Sequence, residues 1–175
     1  MRLIEKPFEG EYPPYASMYI DLLPGDGLLL KHLQENFEST KKLILSLPKE
    51  KLLHKYAENK WTIKEVLVHI IDDERIYAYR AMCFARNEKT ALPGFEQEDY
   101  AKYSGANERN IENIMEEYEA VRLSTIALFN GLPEETFIRK GTANNNQTTV
   151  RGLAYHIAGH ELHHINIIKE KYLKL

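Results

Sequence analysis

Apolar side chains recur at helical spacing along four long stretches of the chain, and Pro, Gly and capping residues mark where the stretches stop. In the first, Leu29, Leu30, Leu33, Phe37, Leu43, Ile44 and Leu47 follow a helical period, which predicts a helix over 27–47 with Asp26 as N-cap and Pro48 as its end. Residues 52–60 are polar and irregular and predict a linker with at most one helical turn. Thr62 and Glu65 then stand three apart ahead of an apolar run. At that spacing the two side chains reciprocally satisfy the free N–H groups of a helix start. The run to Arg86 lacks Pro and Gly and carries Ile63, Val66, Leu67, Ile70, Ile76 and Tyr77 on one broad face, so a second helix over 62–86 is predicted.

Residues 87–105 form a polar connection with Pro93-Gly94 and the aromatics Phe95, Tyr100 and Tyr103. A connection this long is usually functional or carries some local helix. A third helix is predicted over 107–130, with Ile111, Ile114, Tyr118, Val121, Ile126 and Phe129 inward and a stop at Gly131 and Pro133. Residues 134–147, with their Asn144-Asn145-Asn146 run, read as a loop. The fourth helix starts at Thr148 or Thr149 as cap and runs to about Lys174. No stretch alternates in the manner of a strand. Four amphipathic segments of this length predict an all-α four-helix bundle, whose sites are built in its core from facing helices.

Composition narrows the function classes. The 175 residues suit one domain spanning 1–175, with 1–24 an N-terminal extension packing on the bundle. The net charge of −3 is spread over interspersed acids and bases, without the basic stripe that nucleic acid requires. Apolar runs are too short for a membrane span, and Met1 to Pro14 carries charges and prolines where a signal peptide needs an apolar stretch. The single cysteine, Cys83, reads as a small buried hydrophobe, and a cytoplasmic location is expected.

The candidate chemistry lies in histidines. His156, His160, His163 and His164 cluster in the fourth segment, and His156, His160 and His164 are spaced four apart on a single helical stripe. His163 is rotated by about 100° from His164, toward a neighbouring helix or solvent. His69 lies about two turns inside the second helix among Leu67, Val68, Ile70 and Ile71. A buried imidazole facing a histidine stripe needs partners. A divalent cation held by His69, His160 and His164 supplies one and leaves a position open for water. The string His160-Glu161-Leu162-His163-His164 also fits the H-E-x-x-H pattern of zinc peptidases, with Glu161 as base. The 11 residues after His164 leave little room for a further ligand, and no strand is predicted to align a peptide. A di-iron carboxylate bundle wants two E-x-x-H motifs, and one is present in the right setting. A mononuclear site is the reading that remains.

These residues resemble a known family. The run from Trp61 to His69, and the run from Arg151 to His164, resemble the two signatures of the DinB-like superfamily, and Pro93-Gly94-Phe95 and Arg122 fit between them. The resemblance covers roughly 25–173. It implies an up-down-down-up four-helix bundle, a nickel- or zinc-type ion on His69, His160 and His164, and homodimers. Relatives include metal-dependent hydrolases and thiol transferases that use bacillithiol or mycothiol.

A three-histidine site makes water acidic enough to attack near neutral pH, polarises a carbonyl or binds a thiolate. Imidazole ligands suit zinc and nickel, with iron or manganese as further fits. Asp72 and Asp73 follow His69 by three and four positions, so one of them is expected on its face to orient a ligand or act as base. Glu161 is a weaker base candidate because it is rotated around its helix. His156 is expected to be a satisfied core histidine or a support to a ligand. Arg122 is expected to pair with Asp72 or Asp73, with anchoring of an anionic substrate as the alternative, and Trp61, Tyr77, Tyr118 and Tyr155 to be core aromatics. The expected function is a metal-dependent hydrolase or thiol transferase acting on a small molecule, a low-molecular-weight thiol included. A non-catalytic metal-binding or ligand-sensing bundle is the alternative.

Overall fold

The computed structural model describes all 175 residues. Its helices are α1 (Ser17–Ile20), α2 (Leu29–Leu45), α3 (Lys49–Leu52), α4 (Ile63–Ala85), α5 (Gln97–Tyr103), α6 (Ile111–Gly131) and α7 (Val150–Ile167). The four long ones, α2, α4, α6 and α7, make the bundle. Both α2 and α4 pack on α6 and α7, so α2 lies diagonally across the bundle from α4, and α6 from α7.

The capping residues explain the best-defined starts. Thr62 accepts from the Glu65 N–H at 3.1 Å while the Glu65 carboxylate accepts from the Thr62 N–H at 2.7 Å, which satisfies two free donors of α4. Thr149 caps α7 by accepting from the Gly152 N–H at 3.0 Å. Asp26 is not the N-cap of α2; Leu28 holds that position, and the Asp26 carboxylate accepts from the Leu28 N–H at 2.9 Å one step earlier. After Ile167 the last helix continues as a π-helical turn, Ile168–Leu173.

The segment expected to be only loop contains a hairpin, β1 (Lys140–Ala143) paired antiparallel with β2 (Asn146–Thr149). Asn144 and Asn145 both take positive φ, 48° and 59°, the conformation of a tight two-residue turn that asparagine tolerates. Gly141 lies against Phe84, whose ring leaves no room for a Cβ. Leu92 extends the pairing through its N–H to the Thr142 carbonyl at 2.9 Å, which ties the long connection before α5 to the hairpin.

The N-terminal residues lie on α7. The Thr149 N–H donates to the Glu11 carbonyl at 2.9 Å, Arg151 donates to both Glu11 carboxylate oxygens at 2.9 Å, and the Tyr155 hydroxyl donates to the Ile4 carbonyl at 2.9 Å. Two glycines of α7 make this approach feasible: a Cβ at Gly152 would meet the Glu11 carbonyl, and one at Gly159 the backbone of Tyr19.

The core divides into two apolar clusters. One gathers Ile20, Leu30, Leu33, Phe84, Phe129 and Tyr155; the other gathers Phe37, Ile63, Leu67, Ile114, Tyr118 and Ile168. Between them runs a buried polar layer to which all four long helices contribute: Thr40 from α2, His69, Asp73 and Glu74 from α4, Arg122 from α6, and His156, His160 and Glu161 from α7. Cys83 is half-buried beside the first cluster. No helix is long and apolar enough to cross a membrane.

Candidate metal centre

The polar layer has two halves. In the first, Arg122 pairs with Glu74 at 2.9 Å and Glu161 at 2.8 Å and donates also to the Leu33 carbonyl, all at side chains 2% exposed or less. Thr40 donates to the second oxygen of Glu161 at 3.3 Å. The ion pair expected for Arg122 therefore exists, but with Glu74 and Glu161 in place of Asp72 or Asp73. One position along a helix rotates a side chain by about 100°, and Glu74 is the residue of α4 turned toward α6. Burial raises the Glu161 carboxyl, and Arg122 offsets only part of that rise.

The second half holds the histidines. Nε2 of His160 lies 3.1 Å from Nε2 of His69 and 3.1 Å from Nε2 of His164, and one ring nitrogen from each residue falls within 4.8 Å of the others. His69 and His160 are buried and His164 is half-buried. Three imidazole nitrogens turned onto one point cannot satisfy one another, because a neutral ring offers there either one N–H or one lone pair. His160 can pair with His69 or with His164, and the other is left facing it. A single cation satisfies all three, and the three-nitrogen donor set is one that zinc, nickel and related ions accept.

Asp73 is the carboxylate brought to this point. Its Oδ2 lies 3.4 Å from Nδ1 of His160 and 3.3 Å from Nε2 of His156. An Nδ1–H of His160 directed at Asp73 leaves the Nε2 lone pair facing the triad, the arrangement by which a carboxylate fixes the tautomer of a ligand histidine. Burial raises the Asp73 carboxyl, but the neighbouring His160 and His156 outweigh it and hold it at about 2. His156 stacks on Tyr77, with ring centroids 3.7 Å apart and planes 3° from parallel. Neither His156 Nε2 nor Asp73 Oδ2 completes a hydrogen bond of good geometry, so the pair is close but not fully satisfied.

Asp72 and Glu161 are not brought to the histidines. Asp72 turns to Arg75, 3.8 Å away on the outside of α4, and Glu161 is held by Arg122 on the far side of α7. Each sits one position from a residue that does face the centre, and that single step rotates it away.

The triad opens to a cleft of about 300 Å³ at His164, with Trp61, Tyr56, Tyr172, Glu98 and Tyr19 among its walls. Trp61, expected in the core, is a wall instead; its ring sits 4.8 Å from His69 and its indole N–H donates to Glu98 at 3.2 Å. Tyr77, Tyr118 and Tyr155 are buried as expected. His163 faces this cleft, in edge contact with Tyr19 at 5.3 Å. Tyr19 carried no signal in the pattern of the chain, since it belongs to a short helix outside the four periodic segments; burial raises its hydroxyl, with a further rise from Asp73.

Burial lowers all three triad imidazoles, His160 well below its usual value and His164 to about 3. In the metal-free protein the unfolded chain therefore takes up protons on these residues near pH 6.5, while the folded chain resists until far lower pH. The stability they contribute is complete above pH 6.5 and falls as the pH drops toward 3. A melting temperature of chelator-treated protein that declines from pH 7 to 5, with a shallower decline in His164→Gln, is the expected outcome of a thermal scan series.

Comparison with known proteins fits this geometry. The sequence profile described as the DinB superfamily matches residues 32–168. The chain is 26% identical over 141 residues to the Oceanobacillus iheyensis protein named "Putative metal-dependent hydrolase OB0413", covering 80% of this chain and 81% of that one. YfiT from Bacillus subtilis, described as "a probable metal-dependent hydrolase with an unusual four-helix bundle topology", superposes with a TM-score of 0.77 at 16% identity, covering 86% of this chain and 87% of that one. The likeness to YfiT is one of fold. Since the family profile takes in most of the chain and both histidine-bearing helices, the protein belongs to the DinB superfamily.

Proposed function

We propose that the protein is a metal-dependent hydrolase of small molecules, with zinc or nickel held by His69, His160 and His164. The observation that carries this reading is the convergence of the three Nε2 atoms, which no arrangement of their protons satisfies. The name of the Oceanobacillus iheyensis relative, "Putative metal-dependent hydrolase OB0413", supports the same reading. When bound, a divalent cation supplies Lewis acidity and brings the pKa of water toward neutrality.

The protein's own residues do the rest. Asp73, its Oδ2 3.4 Å from Nδ1 of His160, is placed to draw that N–H and so keep the Nε2 lone pair turned to the centre. Trp61 packs against His69 from the cleft side, its ring centroid 4.8 Å from that of the imidazole. The cleft, walled by Tyr56, Trp61 and Tyr172, fits a small substrate with an apolar portion and excludes a folded polypeptide.

Untagged protein stripped of metal and reloaded with one equivalent of zinc or nickel is expected to hydrolyse members of a panel of small esters and amides. The activity should vanish in His160→Ala. Asp73→Asn is expected to weaken metal affinity by about 10- to 100-fold, since the amide can present its N–H to His160 and lose control of the tautomer. Full metal occupancy with no turnover above that of His160→Ala would leave a non-catalytic metal-binding bundle.

A further inference from the structure

The N-terminal segment reaches into the cleft beside the histidines. Helix α1 is a single turn, too short to be stable alone, and it holds its place because α7 receives it. The receiving point is Gly159, where a Cβ would stand 2.2 Å from the Tyr19 carbonyl oxygen and 2.5 Å from its carbon. That glycine lies one residue before His160, so the same turn of α7 that presents a triad histidine also seats Tyr19.

The consequence is a ring set edge-on to three histidines in succession. The Tyr19 ring centroid lies 5.0 Å from that of His156, 5.4 Å from His160 and 5.3 Å from His163, with interplanar angles between 77° and 79°. Tyr19 also lines the cleft that opens at His164. Two other tyrosines of the bundle use their hydroxyls within the protein: Tyr155 donates to the Ile4 carbonyl at 2.9 Å, and Tyr172 to the Trp61 carbonyl at 2.7 Å. The two apolar clusters include neither Tyr19 nor its ring as a packing member. A phenol that packs into no cluster, lines the cleft and is seated by a glycine one residue from His160 is placed to touch what the cleft holds.

We infer that Tyr19 is a ligand-contacting residue of the centre, its hydroxyl donating a hydrogen bond to an oxygen of the molecule bound at the triad. The inference rests on the metal-centre reading above and adds to it.

Cobalt(II) in place of zinc makes the centre visible by its absorption, and acetohydroxamate serves as an oxygen-donor probe whose binding perturbs that spectrum. Tyr19→Phe keeps the ring against His156, His160 and His163 and removes only the hydroxyl. The ligand-free cobalt spectrum and cobalt affinity of Tyr19→Phe are expected to match those of the wild type, while acetohydroxamate binds about tenfold more weakly, the loss of one hydrogen bond to a charged ligand. Gly159→Ala, which must push Tyr19 off the helix, is expected to weaken the probe at least as much at unchanged cobalt stoichiometry. Equal acetohydroxamate affinities in wild type and Tyr19→Phe, with cobalt bound in both, overturn the role of Tyr19 and leave the metal centre standing. Absence of any cobalt spectrum in the wild type overturns the metal reading and this inference with it.

Discussion

Arg122→Leu is expected to lose about 3–5 kcal/mol of folding stability, because it leaves the Glu74 and Glu161 carboxylates buried without their cation. Arg122 and both partners are 2% exposed or less, and its donors also reach the Leu33 carbonyl and the Tyr118 hydroxyl, so no solvent is at hand to replace it. A loss of that size is a large share of the 5–15 kcal/mol typical of a whole domain. The charges themselves identify the mechanism. Glu74→Gln and Glu161→Gln introduced into the Arg122→Leu background should recover part of the stability, since neutral amides are less costly to bury than ions. Urea denaturation of the single and triple variants measures both effects. A single variant within 1 kcal/mol of wild type would show that the ionic half of the layer does not hold the bundle.

The second large effect is expected at His160. Its Nε2 is the atom that lies 3.1 Å from both other ring nitrogens, so its removal takes away the middle donor of the triad and the triad's contact with Asp73. His160→Ala is expected to drop zinc content after dialysis from about one per chain to near zero. A ligand at roughly a thousand times its dissociation constant stabilises by about 4 kcal/mol, which for a chain of this length raises the melting temperature by roughly 10 °C. That increment on adding zinc should be present in the wild type and absent in His160→Ala. Retention of the increment in the variant would place the bound metal elsewhere.

Both effects arise in a layer whose members were visible in the sequence more readily than their partners. The helix starts at Thr62 and Thr149 rest on local chemistry, side chain to nearby backbone, and so can be read from spacing alone. The histidine stripe is equally local, since residues four apart on α7 share a face whatever surrounds them. What a period cannot tell is which neighbouring helix a given face meets. Asp72, Asp73 and Glu74 are consecutive, and they face Arg75 on the surface, the histidines, and Arg122 respectively. Assigning Arg122 to Asp72 or Asp73 missed by one residue because the rotation of α4 against α6 is set by packing along the whole bundle. Glu161, adjacent to His160 and read as rotated away from it, is turned toward α6 and not toward the centre.

The hairpin and Tyr19 were missed on different grounds. Strands of four residues are too short to show alternation, and the signal for β1 and β2 was the turn itself, where Asn144 and Asn145 hold positive φ. The N-terminal segment has little regular structure to announce. Its place on α7 depends on Gly152 and Gly159, seven residues apart on one face, where the missing side chains let the backbone of Glu11 and Tyr19 approach. Trp61 followed from neither pattern; an indole beside a cap residue reads as core until the cleft against Glu98 is seen.

The most direct test of the metal centre is anomalous scattering from crystals of untagged protein grown with one equivalent of zinc or nickel. A single peak is expected at about 2.0–2.1 Å from Nε2 of His69, His160 and His164, with Asp73 bonded to the remaining nitrogen of His160. A map without a peak between the three rings, from protein that has been offered the metal, would contradict it.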